Sequence, residues 1–397
     1  MRPHLFAIIL LTTICLVSES VGIAAEPRLI GRAEIASTLS DLPGEVGTLE
    51  DGIPANQLGG FGSGIAWLGR GHRYAVISDR GPADGKTTYR CRYHVVDIVV
   101  NDNASPPVNF NLLETRLLST ANGTPLIGSL GALPEGKDPR GLRLDPEAIR
   151  VIPNGHLLIS DEYAPAILEF TAAGCQVGQV SIPIRFTPNH AAADPVAELP
   201  PLNLRGRQPN RGLECLAVSP KGDMVYVLLQ SPLIQDGGLD DMNKRVGTNC
   251  RLLEISRSSG RTREFLYQLD SPANGCNEIE YLAPGKFLVI ERDSKAGADA
   301  VAKRIVEIDI TSATDISKLN TLPANAIPDG VTPVAKKPFL DLLDPRWKFA
   351  GEKFPEKIEG IAFGPKLSDG SRVLLITSDN DFLPTPTQIY AFAFRDE

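Results

Sequence analysis

Histidine, cysteine and aromatic side chains are scarce in this chain, and basic charge is nowhere clustered. There are five histidines and six cysteines in 397 residues, and aromatics make up 6%. No G-x-S-x-G or H-E-x-x-H occurs, which argues against a serine-histidine hydrolase and a zinc protease. His72 and His156 fall at turns and read as surface residues. No C-x-x-C occurs either, so a zinc site of the usual spacing is not expected. The net charge is −8 with no basic patch, which makes nucleic acid an unsuitable partner. Outside the first 25 residues there is no apolar run long enough to span a membrane.

The N-terminus reads as a signal peptide covering residues 1–25. Arg2 supplies the positive end and Leu5 to Val17 the apolar stretch. Gly22, Ala24 and Ala25 supply small residues for cleavage near Ala25. The remainder is expected to be exported, to the periplasm or the exterior, as a monomer. Five cysteines then remain, Cys91, Cys175, Cys215, Cys250 and Cys276. Pairing of some, or retention of buried thiols, both stay open.

What the chain does have is a repeat. Asp145 to Tyr163 reads as a β-hairpin, with two apolar runs around Pro153-Asn154-Gly155. Glu147 and Asp161 are expected opposite each other at its open end, about 5 Å apart. Similar hairpins run from Ser63 to Arg80, Glu214 to Gln230, Asn277 to Arg292 and Glu359 to Asn380. Their first position holds Ser63, Glu147, Glu214, Asn277 and Glu359, and their last Asp79, Asp161, Gln230, Glu291 and Asp379. Regular recurrence of one supersecondary unit signals a repeat architecture.

Each hairpin is followed by two more strand-like runs, and four strands is the count for a propeller blade. The last unit has only three, and Pro27 to Ile35 reads as a strand without a local partner. The expected fold is therefore an all-β propeller of about five four-stranded blades over residues 27–397, its ring closed by the N-terminal strand. A sixth, poorly patterned blade would have to lie in Thr120 to Leu144 or Thr311 to Lys357. A short helical patch is expected after Ile310.

In such a ring the first strand of each blade lines the axis. Gly64, Ala148, Cys215 and Gly360 are small at the second position, and Glu278 is the exception. Glu278 and Glu280 either point into the channel or mark a register shift. Glu147, Glu214 and Glu359 should gather at one channel mouth, with the acids of the second strands behind them. Converging carboxylates must protonate, pair with cations or hold a metal. Arg80, Arg211, Arg292 and Lys357 stand nearby in sequence as counter-charges, or as clamps for phosphate oxygens. A divalent ion such as Ca²⁺ suits an oxygen-donor set of Glu147, Glu214, Glu359, Asn277 and Asp161. The bland alternative makes Asp79, Asp161 and Asp379 backbone locks, since Ser-Asp recurs at each.

The stretches GSGIAWLGRGHRYAVISDR, DPEAIRVIPNGHLLISDEYAPAILEF, NRGLECLAVSPKGDMVYVLLQSPL, NEIEYLAPGKFLVIERDS and KIEGIAFGPKLSDGSRVLLITSDND resemble the phytase-like family of exported proteins, described by an esterase-like activity of phytase. The resemblance runs from about Gly31 to Phe394. It implies a β-propeller and hydrolysis of phosphate or other esters. The converging carboxylates themselves point to a metal-dependent phosphoesterase with Glu147, Glu214 and Glu359 as ligands or general bases. Ala148 and Cys215 stand where the family motif has glycine after the glutamate. Ser63 and Asn277 replace carboxylates in two blades. The alternatives are a propeller that binds a ligand or protein without catalysis, and a lactonase-like Ca²⁺-dependent hydrolase.

Overall fold

The computed structural model describes residues 26–41, 45–133 and 141–395. The expected signal peptide lies outside these residues. β1 (Arg28–Ile35) is followed by a first sheet of β2 (Gly64–Trp67), β3 (Arg73–Ile77), β4 (Arg92–Val100) and β5 (Val108–Leu117). The second holds β6 (Pro146–Val151), β7 (Leu157–Asp161), β8 (Ala166–Phe170) and β9 (Gln176–Val180). The third holds β10 (Cys215–Val218), β11 (Met224–Leu228), β12 (Asn249–Ser256) and β13 (Thr262–Gln268). The fourth holds β14 (Asn274–Ala283), β15 (Lys286–Asp293), β16 (Lys303–Asp309) and β17 (Ala335–Asp341). The fifth holds β18 (Lys357–Lys366), β19 (Arg372–Asp379) and β20 (Thr387–Phe394), and β1 completes it by pairing antiparallel to β20.

The first two strands of every sheet are joined by a turn with a left-handed glycine: Gly71, Gly155, Gly222, Gly285 and Gly370, at φ between 53° and 83°. That backbone region costs glycine little, so the turn residue sets the pairing. The first strands β2, β6, β10, β14 and β18 pack side by side around an axis, and β18 returns to β2. The result is a β-propeller of five blades. It has five apolar cores rather than one, each sandwiched between neighbouring blades. Ile65, Tyr74 and Val96 of the first blade, for example, pack with Leu375, Ile389 and Ala391 of the fifth.

The axis is plugged. The Arg150 guanidinium donates to the carbonyls of Ile65 (3.1 Å), Ile149 (2.7 Å) and Ile279 (2.8 Å). It also pairs with Glu278 at 3.0 Å and Glu280 at 3.3 Å. Glu278 thus lies at the axis, and it accepts from the Leu216 amide (3.0 Å) across the blade gap. Burial pushes its carboxyl up to about 8, against the pull of Arg150.

Several expectations need correction. Pro146, not Glu147, pairs with Asp161, because an extra residue interrupts the ladder between Pro146 and Ile149. The same irregularity falls between Cys276 and Glu278 and between Ile358 and Gly360. A bulge swings a side chain out of strict alternation, so simple counting misplaces these residues. Thr311 to Gly330 forms turns rather than a helical patch. Neither segment considered for a sixth blade forms one among the described residues. All five described cysteines are thiols, four of them buried. His156 is not simply solvated, since its Nδ1 lies 2.7 Å from a Glu169 carboxylate oxygen.

Close packing at the seam between the first and fifth blades yields a test. A Cβ on Gly62 would stand 1.9 Å from the Ser378 carbonyl oxygen. Gly62→Ala is expected to lower the unfolding free energy by roughly 1–3 kcal/mol in urea titration. Gly178→Ala, whose Cβ would have nothing nearer than 3.9 Å, should be close to neutral.

Candidate functional site

The second strands end in tight carboxylate turns. Asp79 accepts from the Gly81 amide (2.9 Å), Asp161 from Tyr163 (3.1 Å) and Asp379 from Asp381 (2.9 Å). Asp161 also accepts from the Asp145 amide at 3.1 Å. These short loops hold the blade ends, as a side chain bonding two residues ahead does in any Asx turn. The preceding serines reach further: Ser78 donates to Gly59, while Ser160 and Ser378 accept from the amides of Ala148 and Gln388.

The first strands supply a different set. Glu147, Asn277 and Glu359 sit at the three bulges, and Glu214 immediately precedes β10. Glu147, Glu214 and Glu359 line one cavity of about 270 Å³ at the channel mouth, with Arg80, Arg211, Arg292 and Lys357. Asp161 and Asn277 do not line it. With its amide oriented to satisfy its neighbours, Asn277 accepts from Gln230 Nε2 (2.9 Å) and Arg292 Nη2 (3.2 Å). It thereby fixes two residues that do face the cavity.

The charges divide into satisfied and unsatisfied groups. Arg80 pairs with Asp145 and lies 3.2 Å from Asp84 and 3.7 Å from Glu162. Lys357 lies 3.2 Å from Asp379 and 3.9 Å from Asp79, and pairs with Asp381. Arg292 binds Glu359 at 2.5 Å. Glu147 and Glu214 are each only 6% exposed, yet neither has a hydrogen-bond or ion-pair partner among the described residues. Burial raises both carboxyls well above the usual range. Glu214 and Asp145 add repulsion at Glu147, and Glu162 and Glu359 add it at Glu214. On the cationic side the Arg211 guanidinium finds, among the described residues, only the Ser294 hydroxyl, at 3.4 Å. Burial, with Arg245 and Arg292 nearby, pulls it down to about 10. Arg245 lines the same cavity, with no carboxylate within 4 Å among the described residues.

Sequence reasoning missed Arg245, Asp145, Glu162 and Asp381. Asp145 and Glu162 flank the hairpin's own Glu147 and Asp161, so the signal was adjacency. Arg245 sits in the Gly/Asp-rich segment between β11 and β12, where nothing local marks it. The backbone adds a further sign. Of the seven described non-glycine residues with left-handed φ, Asp84, Asn210 and Asp381 line the cavity. Such conformations cost energy and concentrate at sites where geometry is over-determined.

The sequence matches the family described as Phytase-like, esterase-like activity of phytase, over residues 56–382. An uncharacterized secreted protein of Arthroderma benhamiae is 28% identical over 376 residues, covering 72% of this chain and 71% of that one. Among solved structures, the periplasmic gluconolactonase PpgL of Pseudomonas aeruginosa superposes with a TM-score of 0.38 at 12% identity, covering 93% of this chain and 99% of that one. The Cps50 (Swd1) propeller domain of Myceliophteria thermophila gives 0.36 at 9%, covering 93% and 100%. Superpositions this loose carry no argument about activity.

The two kinds of glutamate should respond oppositely to neutralisation. A carboxyl raised by folding binds more protons folded than unfolded, so it costs stability as pH rises above about 4.5. Glu147→Gln, measured with a chelator present, should therefore stabilise progressively from pH 5 to pH 8, by on the order of 1–3 kcal/mol at the upper end. Glu359→Gln removes the partner of buried Arg292 and should destabilise by about 3 kcal/mol. Urea midpoints that move the same way in both variants would contradict this division.

Proposed function

The chain belongs to the Phytase-like family, and from that premise we propose that it is an exported, divalent-cation-dependent hydrolase of phosphate esters. The observation that carries the reading is the pairing of two unpartnered buried carboxylates, Glu147 and Glu214, with two guanidiniums that lack carboxylate partners, Arg211 and Arg245, around one cavity. Two buried carboxylates and two solvent-reached guanidiniums, none with a counter-ion among the described residues, suit a substrate that brings its own anion and a cation that answers the carboxylates.

The donor set fits a hard divalent cation such as Ca²⁺. Asp145, Glu147 and Glu162 each offer a carboxylate oxygen within 4.8 Å of the others, all buried. Asp145, which Arg80 also pairs, Glu147 and Glu162 are the residues that would hold the ion, and Glu214 faces the same cavity beside them. When bound, such an ion neutralises the carboxylates, polarises the phosphoryl group and acidifies water. Arg211, Arg245 and Arg292 hold the phosphoryl oxygens, and Glu359 with Asn277 orients Arg292 from behind. Glu214, whose carboxyl burial and the neighbouring Glu162 and Glu359 raise well above the usual range against the pull of Arg292 and Arg211, accepts the proton of the attacking water. The water oxygen bonds to phosphorus, the ester P–O bond breaks, and the leaving oxygen takes a proton from solvent. Lys357 and Arg80 bind the surrounding acids and keep the cavity's shape. Export is supported by the N-terminal segment and by the secreted relative. Among the described residues no helix is long and apolar enough to cross a membrane.

The test is hydrolysis of 4-nitrophenyl phosphate with added Ca²⁺ and with chelator. Chelation should abolish turnover, and Glu214→Gln should lower kcat about 100-fold or more. Arg211→Ala should raise KM by about tenfold or more, as loss of a charge-assisted hydrogen bond does. Turnover that survives chelation and both substitutions would overturn the proposal.

A further inference from the structure

A second cavity of about 230 Å³ adjoins the charged one, and the two share Arg80, Asp84 and Asn210 in their walls. Its chemistry is different. Leu130, Pro195 and Pro209 line it, along with the ring of Tyr163. The Tyr163 hydroxyl is already donated to the Gly128 carbonyl at 2.7 Å, so the ring offers mainly apolar surface. The charged groups in the wall answer one another: Arg207 pairs with Glu198 at 2.5 Å, and Arg80 with Asp84 at 3.2 Å.

The loop that forms this wall, between β9 and β10, is held from within. Buried Asn203 accepts from the amides of Asn189 (2.9 Å) and His190 (3.1 Å) and donates to Glu198 (2.9 Å). Asp194 accepts from Val196 at 2.9 Å. Its outward side chains include Ile184, Val196, Leu202 and Leu204, each at least 60% exposed. Met242 stands out from the segment that Asn243 ties to Pro200 at 3.0 Å. Val196 directly follows Pro195 of the cavity wall, so exposed apolar surface continues in the chain from the lining.

We propose that the second cavity is a subsite for an apolar substituent, so that the preferred ligands are amphiphilic phosphate monoesters. The phosphoryl group lies in the arginine-lined cavity, the ester bridge crosses the wall at Arg80 and Asn210, and the chain runs past Tyr163 onto the β9–β10 loop. This rests on the phosphate-ester reading above and adds which esters are chosen.

The experiment is calorimetric titration of the full chain, Ca²⁺ present, with methyl, butyl and octyl phosphate below their micellar concentrations. Each methylene that enters the subsite should tighten binding by up to about fourfold. Leu130→Asp and, at an exposed position less apt to disturb folding, Pro195→Asp should each flatten that dependence while leaving methyl phosphate affinity unchanged. Affinity that does not rise with chain length in the unaltered protein overturns the inference, including the case in which no alkyl phosphate binds. A rise without hydrolysis of any of the three keeps the subsite and overturns the hydrolase reading. Hydrolysis with no chain-length preference does the reverse.

Discussion

Crowding at the axis is the constraint on which the rest of the structure depends. Five strands converging side by side leave almost no room between them. A Cβ on Gly64 would lie 2.7 Å from the Glu147 carbonyl, and one on Gly360 3.0 Å from Ile65 Cγ2, each on the first strand of a neighbouring blade. Small residues at this level are therefore a packing requirement, and Ala148 and Cys215 meet it in the neighbouring blades. The one large intrusion, Glu278, is tolerated because Arg150 and two amides answer it. With the middle of the axis sealed, ligand access is left to the strand ends, and three bulges there present Glu147, Asn277 and Glu359.

Much of this was legible in the chain. Five hairpins with an alternating pattern and glycine turns pointed to five blades, and the missing outer strand of the last pointed to β1 as its complement. The small second position followed from the same alignment. What escaped is instructive in physical terms. Periodicity assumes an unbroken ladder, so it paired Glu147 with Asp161 and could not see the bulge that gives Asp161 to Pro146. Charge partners are set by side-chain reach across blades, which no spacing encodes. That Glu359 answers Arg292 while Glu147 and Glu214 answer nothing among the described residues needed coordinates. Arg245 comes from a loop with no pattern at all.

Distribution of charge sets this site apart from an ordinary buried ion-pair network. A network built for rigidity satisfies each member. Here the outer acids are satisfied, by Lys357 and Arg80, and by backbone amides at the blade ends. The inner pair is not. Left-handed backbone at Asp84, Asn210 and Asp381 lies in the same walls, so local strain and electrostatic frustration coincide in one place.

The closing strand has a consequence for how the molecule is made. β1 leaves the ribosome first and its partner β20 last, so the earliest strand must wait for nearly the whole chain. Until then both are open edges able to recruit another copy. Arg28, Arg32 and Glu34 are charged on β1, which makes the waiting edge a poor template. β20, lacking any charged residue, is buried throughout. The ring is thus safest when its more adhesive edge is the one that appears only as closure becomes available.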